Sequence, residues 1–107
     1  MTWHVFEVSL QLIRCLRGVV AELARHDGDL TAQIRRAASS VPANLGEGLR
    51  RAGRDRRYHF RVAAGSAEEV RAALRTAGAW GYVDDAALAE PRALLDRLGA
   101  MLYRMTH

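Results

Sequence analysis

Apolar residues recur at helical spacing through four stretches of this 107-residue chain, and only short turn signals separate them. That pattern constrains the fold more than any other feature, because a helix with one apolar face must bury it against neighbours. In the first stretch, from about Trp3 to Arg25, the stripe is Phe6, Leu10, Ile13, Leu16, Val20 and Leu23, widened by Val5, Val8, Leu12 and Val19. Such breadth predicts burial against more than one partner. The second stretch runs from about Leu30 to Arg51, with Ile34, Ala37, Ala38, Val41, Leu45 and Leu49 facing inward. The third reaches Trp80 through Phe60, Ala63, Ala67, Val70, Leu74 and Ala77. The fourth presents Leu88, Leu95, Leu98, Leu102 and Met105.

The punctuation agrees with this division. Gly28 is expected to stop the first helix in a left-handed conformation, with Asp29 capping the second. Gly53 closes the second helix and Asp55 is the expected cap of the third. Gly81 ends the third, and Asp84 or Asp85 caps the fourth. Two prolines complicate the pattern. Pro42 lies inside the second helix, where a proline costs about 3 kcal/mol by removing a backbone bond and crowding the carbonyl four residues back. Either the helix breaks at Ser40 or it continues with a kink; the apolar phase resumes after Pro42, which favours continuity. Pro91 falls near the start of the fourth helix and can split off a short first turn. The predicted architecture is an all-α, up-down-up-down antiparallel four-helix bundle, in one domain over residues 1–107.

Composition adds limits on function. All basic residues are arginine, sixteen of them against twelve acids, for a formal net charge of +4. Six arginines (Arg50, Arg51, Arg54, Arg56, Arg57 and Arg61) flank one acid, Asp55, within a twelve-residue segment. The other ten arginines are outnumbered by eleven acids, so the basicity of the chain is confined to one turn and its flanks. A local basic patch is the footprint of a phosphate-backbone binder, and equally of a solvated turn or of a surface for an acidic protein. Nothing in the patch reads bases, so binding is expected to be sequence-tolerant and salt-dependent.

Other chemistry finds little support. The lone cysteine, Cys15, sits among Leu12, Leu16 and Val19 and reads as a small core residue. No stretch approaches the roughly 20 apolar residues of a membrane span, so a soluble cytoplasmic protein is expected. His4, His26, His59 and His107 lack ligand spacing, and no metal or cofactor is expected.

One run is more specific. Gln33 to Gly48 reads QIRRAASSVPANLGEG, and YHFRVAAGSAEEV follows from Tyr58. Together they resemble the four-helix-bundle family encoded by intervening sequences in bacterial 23S ribosomal RNA genes, to which the accessory variability protein of diversity-generating retroelements is related. The matching positions are Gln33, Arg35, Arg36, Ala37, Ala38, Ser40, Asn44, Glu47 and Gly48, then Arg51, Phe60, Ala63, Gly65, Ser66 and Glu69. Gly46 departs from the family's usual alanine. The resemblance implies a self-associating bundle, commonly a homopentamer. For the retroelement member it implies engagement of nucleic acid and a reverse transcriptase.

Within these runs Arg36, Asn44, Glu47, Ser66 and Glu69 form the expected structural polar network. Glu47 and Arg51 have the favourable helical ion-pair order, Arg36 can cross to Glu69, and Asn44 can serve backbone groups near Pro42. As one partner of a buried pair, Glu47 is expected to cost more to remove than a surface residue. A separate match, Arg54 to His59, resembles the R-x4-H motif of small HEPN-type ribonucleases, with His59 as acid or base and Arg54 stabilising developing charge. The same residues are also the basic turn of the bundle family. The expected function is non-catalytic association with RNA, DNA or ribonucleoprotein through the arginine cluster; an adaptor for an acidic protein partner and a HEPN-like ribonuclease are the alternatives.

Overall fold

The computed structural model describes residues 2–107, with side chains from Trp3 onward. Four helices follow one another: α1 (Thr2–Leu23), α2 (Gly28–Leu49), α3 (Gly53–Trp80) and α4 (Asp85–Thr106). Among the described residues there are no strands. Each helix packs against its two sequence or ring neighbours, α1 with α2 and α4, and α3 with α2 and α4. This is the predicted up-down-up-down bundle. Its long axis is 42 Å, which matches about 42 Å for the 28 residues of α3 at 1.5 Å per residue.

Apart from Phe60, the core is aliphatic and small. Val5, Val8, Leu12, Leu16, Val19 and Leu23 of α1 face Ile34, Val41 and Leu45 of α2, Val70 and Leu74 of α3, and Leu88, Leu95, Leu98 and Leu102 of α4. α2 and α3 pair most extensively, because Ala37, Ala38 and Gly48 on one and Ala63, Ala67, Ala73 and Ala77 on the other let the backbones approach. The expected α1 stripe is corrected in detail. Phe6, Leu10, Ile13 and Val20 are only half-buried, since α1 has neighbours on two sides and its third apolar line is left beside α2. Leu49 and Met105, near helix C-termini, are half-buried for the same want of a covering neighbour. Cys15 is half-buried rather than central; burial and the nearby Glu90 push its thiol up to about 11.

Several boundaries differ from the sequence expectation. Asp27, not Asp29, caps α2: its extended backbone lets the carboxylate accept from the Leu30 N–H at 2.9 Å. Gly28 is then the first helical residue and is not left-handed; α1 instead ends through overlapping bonds from the His26 and Asp27 amides to the Leu23 carbonyl. Asp55 does not cap α3. Ala52 holds that position without a side-chain bond, and Asp55 lies in the first turn, where a negative charge still complements the helix dipole. Gly53 has φ 61°, an angle that costs other residues more, and so turns the chain from α2 into α3. Gly81, at φ 78°, ends α3 as expected, and Asp84 caps α4 by accepting from the Ala87 amide at 3.2 Å.

Both prolines sit inside unbroken helices. α2 continues through Pro42 as expected. α4 also continues from Asp85 to Thr106, so Pro91 splits nothing; its ring is buried, and that burial offsets the missing backbone bond.

Candidate nucleic-acid interface

The turn between α2 and α3 is three residues, Arg50 to Ala52, so both helices reach the same end of the bundle. All six arginines of the cluster therefore gather there, but they do not behave alike. Arg50 and Arg51 share one carboxylate: Glu47 accepts from Arg50 Nη2 at 2.8 Å and from Arg51 Nη2 at 3.3 Å. Those hydrogen bonds, first from Arg50 and then from Arg51, hold the Glu47 carboxyl below its ordinary range. Arg56 turns back onto α2. Its Nε donates to the Gly48 carbonyl at 3.1 Å and its Nη2 to the Leu49 carbonyl at 3.2 Å. These carbonyls belong to the last turn of α2, where the Gly48 carbonyl also accepts from the Arg51 N–H at 3.1 Å, and a cation there complements the helix dipole.

Arg54, Arg57 and Arg61 remain. Each is exposed, and none has a hydrogen bond or ion pair among the described residues. Their spacing places them along one side of the first two turns of α3, with Tyr58 between them at 61% exposure. Among the described residues no carboxylate lies within ion-pair distance of this group, although Asp55 stands in the same turn. The acidic turn residues Asp27, Asp29, Asp84 and Asp85 lie at the other end of the 42 Å bundle. That separation is several times the Debye length of about 8 Å at physiological salt, so the two ends present separate fields.

The expected polar network is rebuilt by the structure. Asn44 reaches back one turn, its Nδ2 donating to the Ser40 carbonyl at 2.9 Å and to Ser40 Oγ at 3.0 Å; the carbonyl freed by Pro42 is that of Ala38, which Asn44 does not reach. Ser66 Oγ donates across the α2–α3 seam to Ser40 Oγ at 2.8 Å. His59 Nδ1 lies 3.1 Å from Asn44 Oδ1. Because the Asn44 amide already donates to Ser40, its oxygen is the acceptor, and His59 carries its proton on Nδ1. The cross-helix network is thus Ser40, Asn44, His59 and Ser66. Arg36 and Glu69 are exposed and make no ion pair among the described residues. Glu47 is not buried either; its carboxylate lies in solvent with its two arginines, so it does not belong to a buried pair.

Arg54 and His59 are not brought together. Five residues on a helix amount to about 140° of rotation, and His59 points to α2 while Arg54 points to solvent. Among the described residues no three His, Cys, Asp or Glu side chains assemble a metal site. Among the described residues no helix is long and apolar enough to cross a membrane.

A second surface feature lies on the flank. The half-buried line of α1 and the facing side of α2 leave an open groove of about 440 Å³, floored by Ile13, Leu16, Val20 and Ile34 and edged by Arg17 and Arg35.

Sequence reasoning missed two roles. It did not join His59 to Asn44, although both are polar residues interrupting apolar faces. It did not separate Arg56 from the free arginines, because the carbonyls it caps are eight and seven residues away on another helix.

A compact antiparallel four-helix bundle with one strongly basic end defines the structural class. The family model for the 23S rRNA-intervening sequence protein matches residues 3–104, and the chain belongs to that family. No functionally curated protein matches it. A solved structure with the same fold is that of a protein of unknown function from the S23 ribosomal protein family of Bacteroides thetaiotaomicron VPI-5482. It shares 19% identity with a TM-score of 0.85, covering 95% of this chain and 97% of that one.

Proposed function

We propose that this protein is a non-catalytic, self-associating bundle that binds nucleic acid through phosphate contacts at the α2–α3 end. The observation that carries this reading is the trio Arg54, Arg57 and Arg61, exposed on one side of α3 with no ion-pair or hydrogen-bond partner among the described residues. Guanidinium forks match phosphate oxygens, and an unpaired cation has no intramolecular bond to give up on binding. Arg50 and Arg51 add field, partly offset by Glu47. The family description names an intervening sequence of 23S rRNA, which makes RNA the polymer to test first.

Self-association, with a pentamer as the working stoichiometry, is supported by the apolar groove between α1 and α2. A ring would repeat the basic end around one axis and multiply its field.

Binding of labelled RNA measured against salt tests the reading. Three phosphate contacts per chain give a log–log slope of about −2 to −3, steeper in a ring. Replacing Arg54, Arg57 and Arg61 by Ser should abolish most binding while leaving the helical circular dichroism intact. A flat salt dependence, or unchanged affinity in that variant, refutes it.

A further inference from the structure

Tyr58 is the feature of the basic end that phosphate binding does not use. We propose that Tyr58 is a stacking platform for an unpaired base, and that the ligand of this end is therefore single-stranded RNA rather than duplex. The proposal rests on the phosphate-binding reading above and specifies its ligand.

Three observations meet at this residue. First, Tyr58 is 61% exposed, although a large aromatic ring gains from burial. It stands one turn after Arg54 and one turn before Arg61, both exposed and unpaired, with Arg57 beside it. A strand whose phosphates meet these guanidinium groups passes directly over the ring. Second, the ring is braced from below. It meets His59 edge to face, with centroids 5.3 Å apart and planes at 76°. His59 is itself held by Asn44 at 3.1 Å, and through it by Ser40 and Ser66. The platform is thus tied to the α2–α3 seam, so less freedom is lost when a base settles on it.

Third, the face is kept clear on the C-terminal side. Gly65 lies two turns beyond Tyr58 and one beyond Arg61, in the middle of α3, exposed, and a Cβ there would meet nothing within 4 Å. No packing reason requires glycine at this place, and glycine weakens a helix interior. Helical side chains lean toward the N-terminus, so a residue at 65 would cover the turn that carries Arg61. The absence of a side chain leaves that turn open to a strand.

The single-strand preference follows from geometry. In a duplex both faces of each interior base are covered by its neighbours, and an exposed ring on a protein surface finds no free face. An unpaired base offers one, and stacking on it is sequence-tolerant. The arginines bind either form through phosphate, so Tyr58 supplies the discrimination.

Fluorescence anisotropy with a twelve-nucleotide oligouridylate and a twelve-base-pair RNA duplex, on the full chain at one fixed salt concentration, separates the cases. The wild type should favour the single strand. Tyr58→Ala should weaken single-strand binding by about tenfold and leave duplex binding within about twofold; Tyr58→Phe should retain both. Gly65→Leu should raise thermal stability yet weaken single-strand binding, opposite signs that a purely structural role would not produce. Unchanged single-strand affinity in Tyr58→Ala, an equal loss for both ligands, or a wild type that favours duplex overturns the proposal. If the Arg54, Arg57 and Arg61 to Ser variant still loses both ligands, only the stacking role has failed. If that variant loses neither, the phosphate-binding reading has failed as well.

Discussion

Gly48, at the end of the run that marks the family, is the sharpest test of how α2 and α3 are locked. A Cβ built there would lie 2.6 Å from Phe60 Cε1 and 2.8 Å from Cδ1, with the Arg56 carbonyl oxygen at 3.3 Å. Carbon atoms pack at about 3.5–4.0 Å, so the added methyl overlaps the ring by roughly 1 Å. Phe60 is only 4% exposed and cannot swing into solvent. Either the ring leaves its rotamer or the helices part, and overpacking of this kind costs about 1–3 kcal/mol. Against that stands the helix-propensity gain of alanine over glycine, about 0.8–1.0 kcal/mol. The net expectation for Gly48→Ala is a loss of about 0–2 kcal/mol.

Gly18 provides the control, since a Cβ there meets nothing within 4 Å. Gly18→Ala should therefore stabilise by about 0.5–1 kcal/mol. The difference between the two variants isolates the overpacking at Phe60. Urea denaturation at one protein concentration measures both, so that any oligomerisation affects them alike. Phe60→Leu in the same background should remove most of the penalty, with a coupling of at least about 0.5 kcal/mol. If Gly48→Ala stabilises as much as Gly18→Ala, the tight α2–α3 contact does not exist as described.

Two further outcomes follow from the arginine cluster. Arg56→Ala leaves the Gly48 and Leu49 carbonyls without their charged donor and should lower stability by about 1–2 kcal/mol, read from the denaturation midpoint; loss of RNA affinity with unchanged stability would contradict the capping role. The Glu47 carboxyl is depressed in the folded state by Arg50 and then Arg51. A depressed native value gives stability that is present above the unfolded pKa of about 4.3 and lost as pH falls through the folded value. The melting temperature of Glu47→Gln should accordingly lie slightly below wild type at pH 7, and the gap should close as acid protonates the carboxyl. A gap that persists unchanged into acid would show that the arginine pair does not act through the carboxylate charge.

Local chemistry made much of the fold legible. The apolar period marked all four helices, and the in-phase return after Pro42 indicated that α2 runs on. Gly81 was readable, and the α4 cap was narrowed to Asp84 or Asp85, because a left-handed turn and an N-cap each involve only a few adjacent residues. Asp27 and Asp29 were harder to tell apart, since both precede the helix within reach of its free amides and only the backbone angle at Asp27 decides between them. The α1 stripe was too broad in the same way: periodicity shows which residues share a face, not how much of that face a neighbour covers.

The site divides along the same line. Six arginines in one turn and the start of the helix after it were countable, and so was their excess charge over the rest of the chain. Which of them are free was not, because Arg56 is engaged by carbonyls on the preceding helix and Arg50 and Arg51 by a carboxylate one turn back. By itself the sequence determined four amphipathic helices, their order and a basic end, since these depend on spacing and composition within short windows. Tertiary structure alone decided that His59 serves Asn44, that Ser66 meets Ser40, and that Arg54, Arg57, Tyr58 and Arg61 face solvent together. Those facts depend on the register of α3 against α2, and that register is set by the close contact of Gly48 with Phe60 and the packing of small residues along the seam.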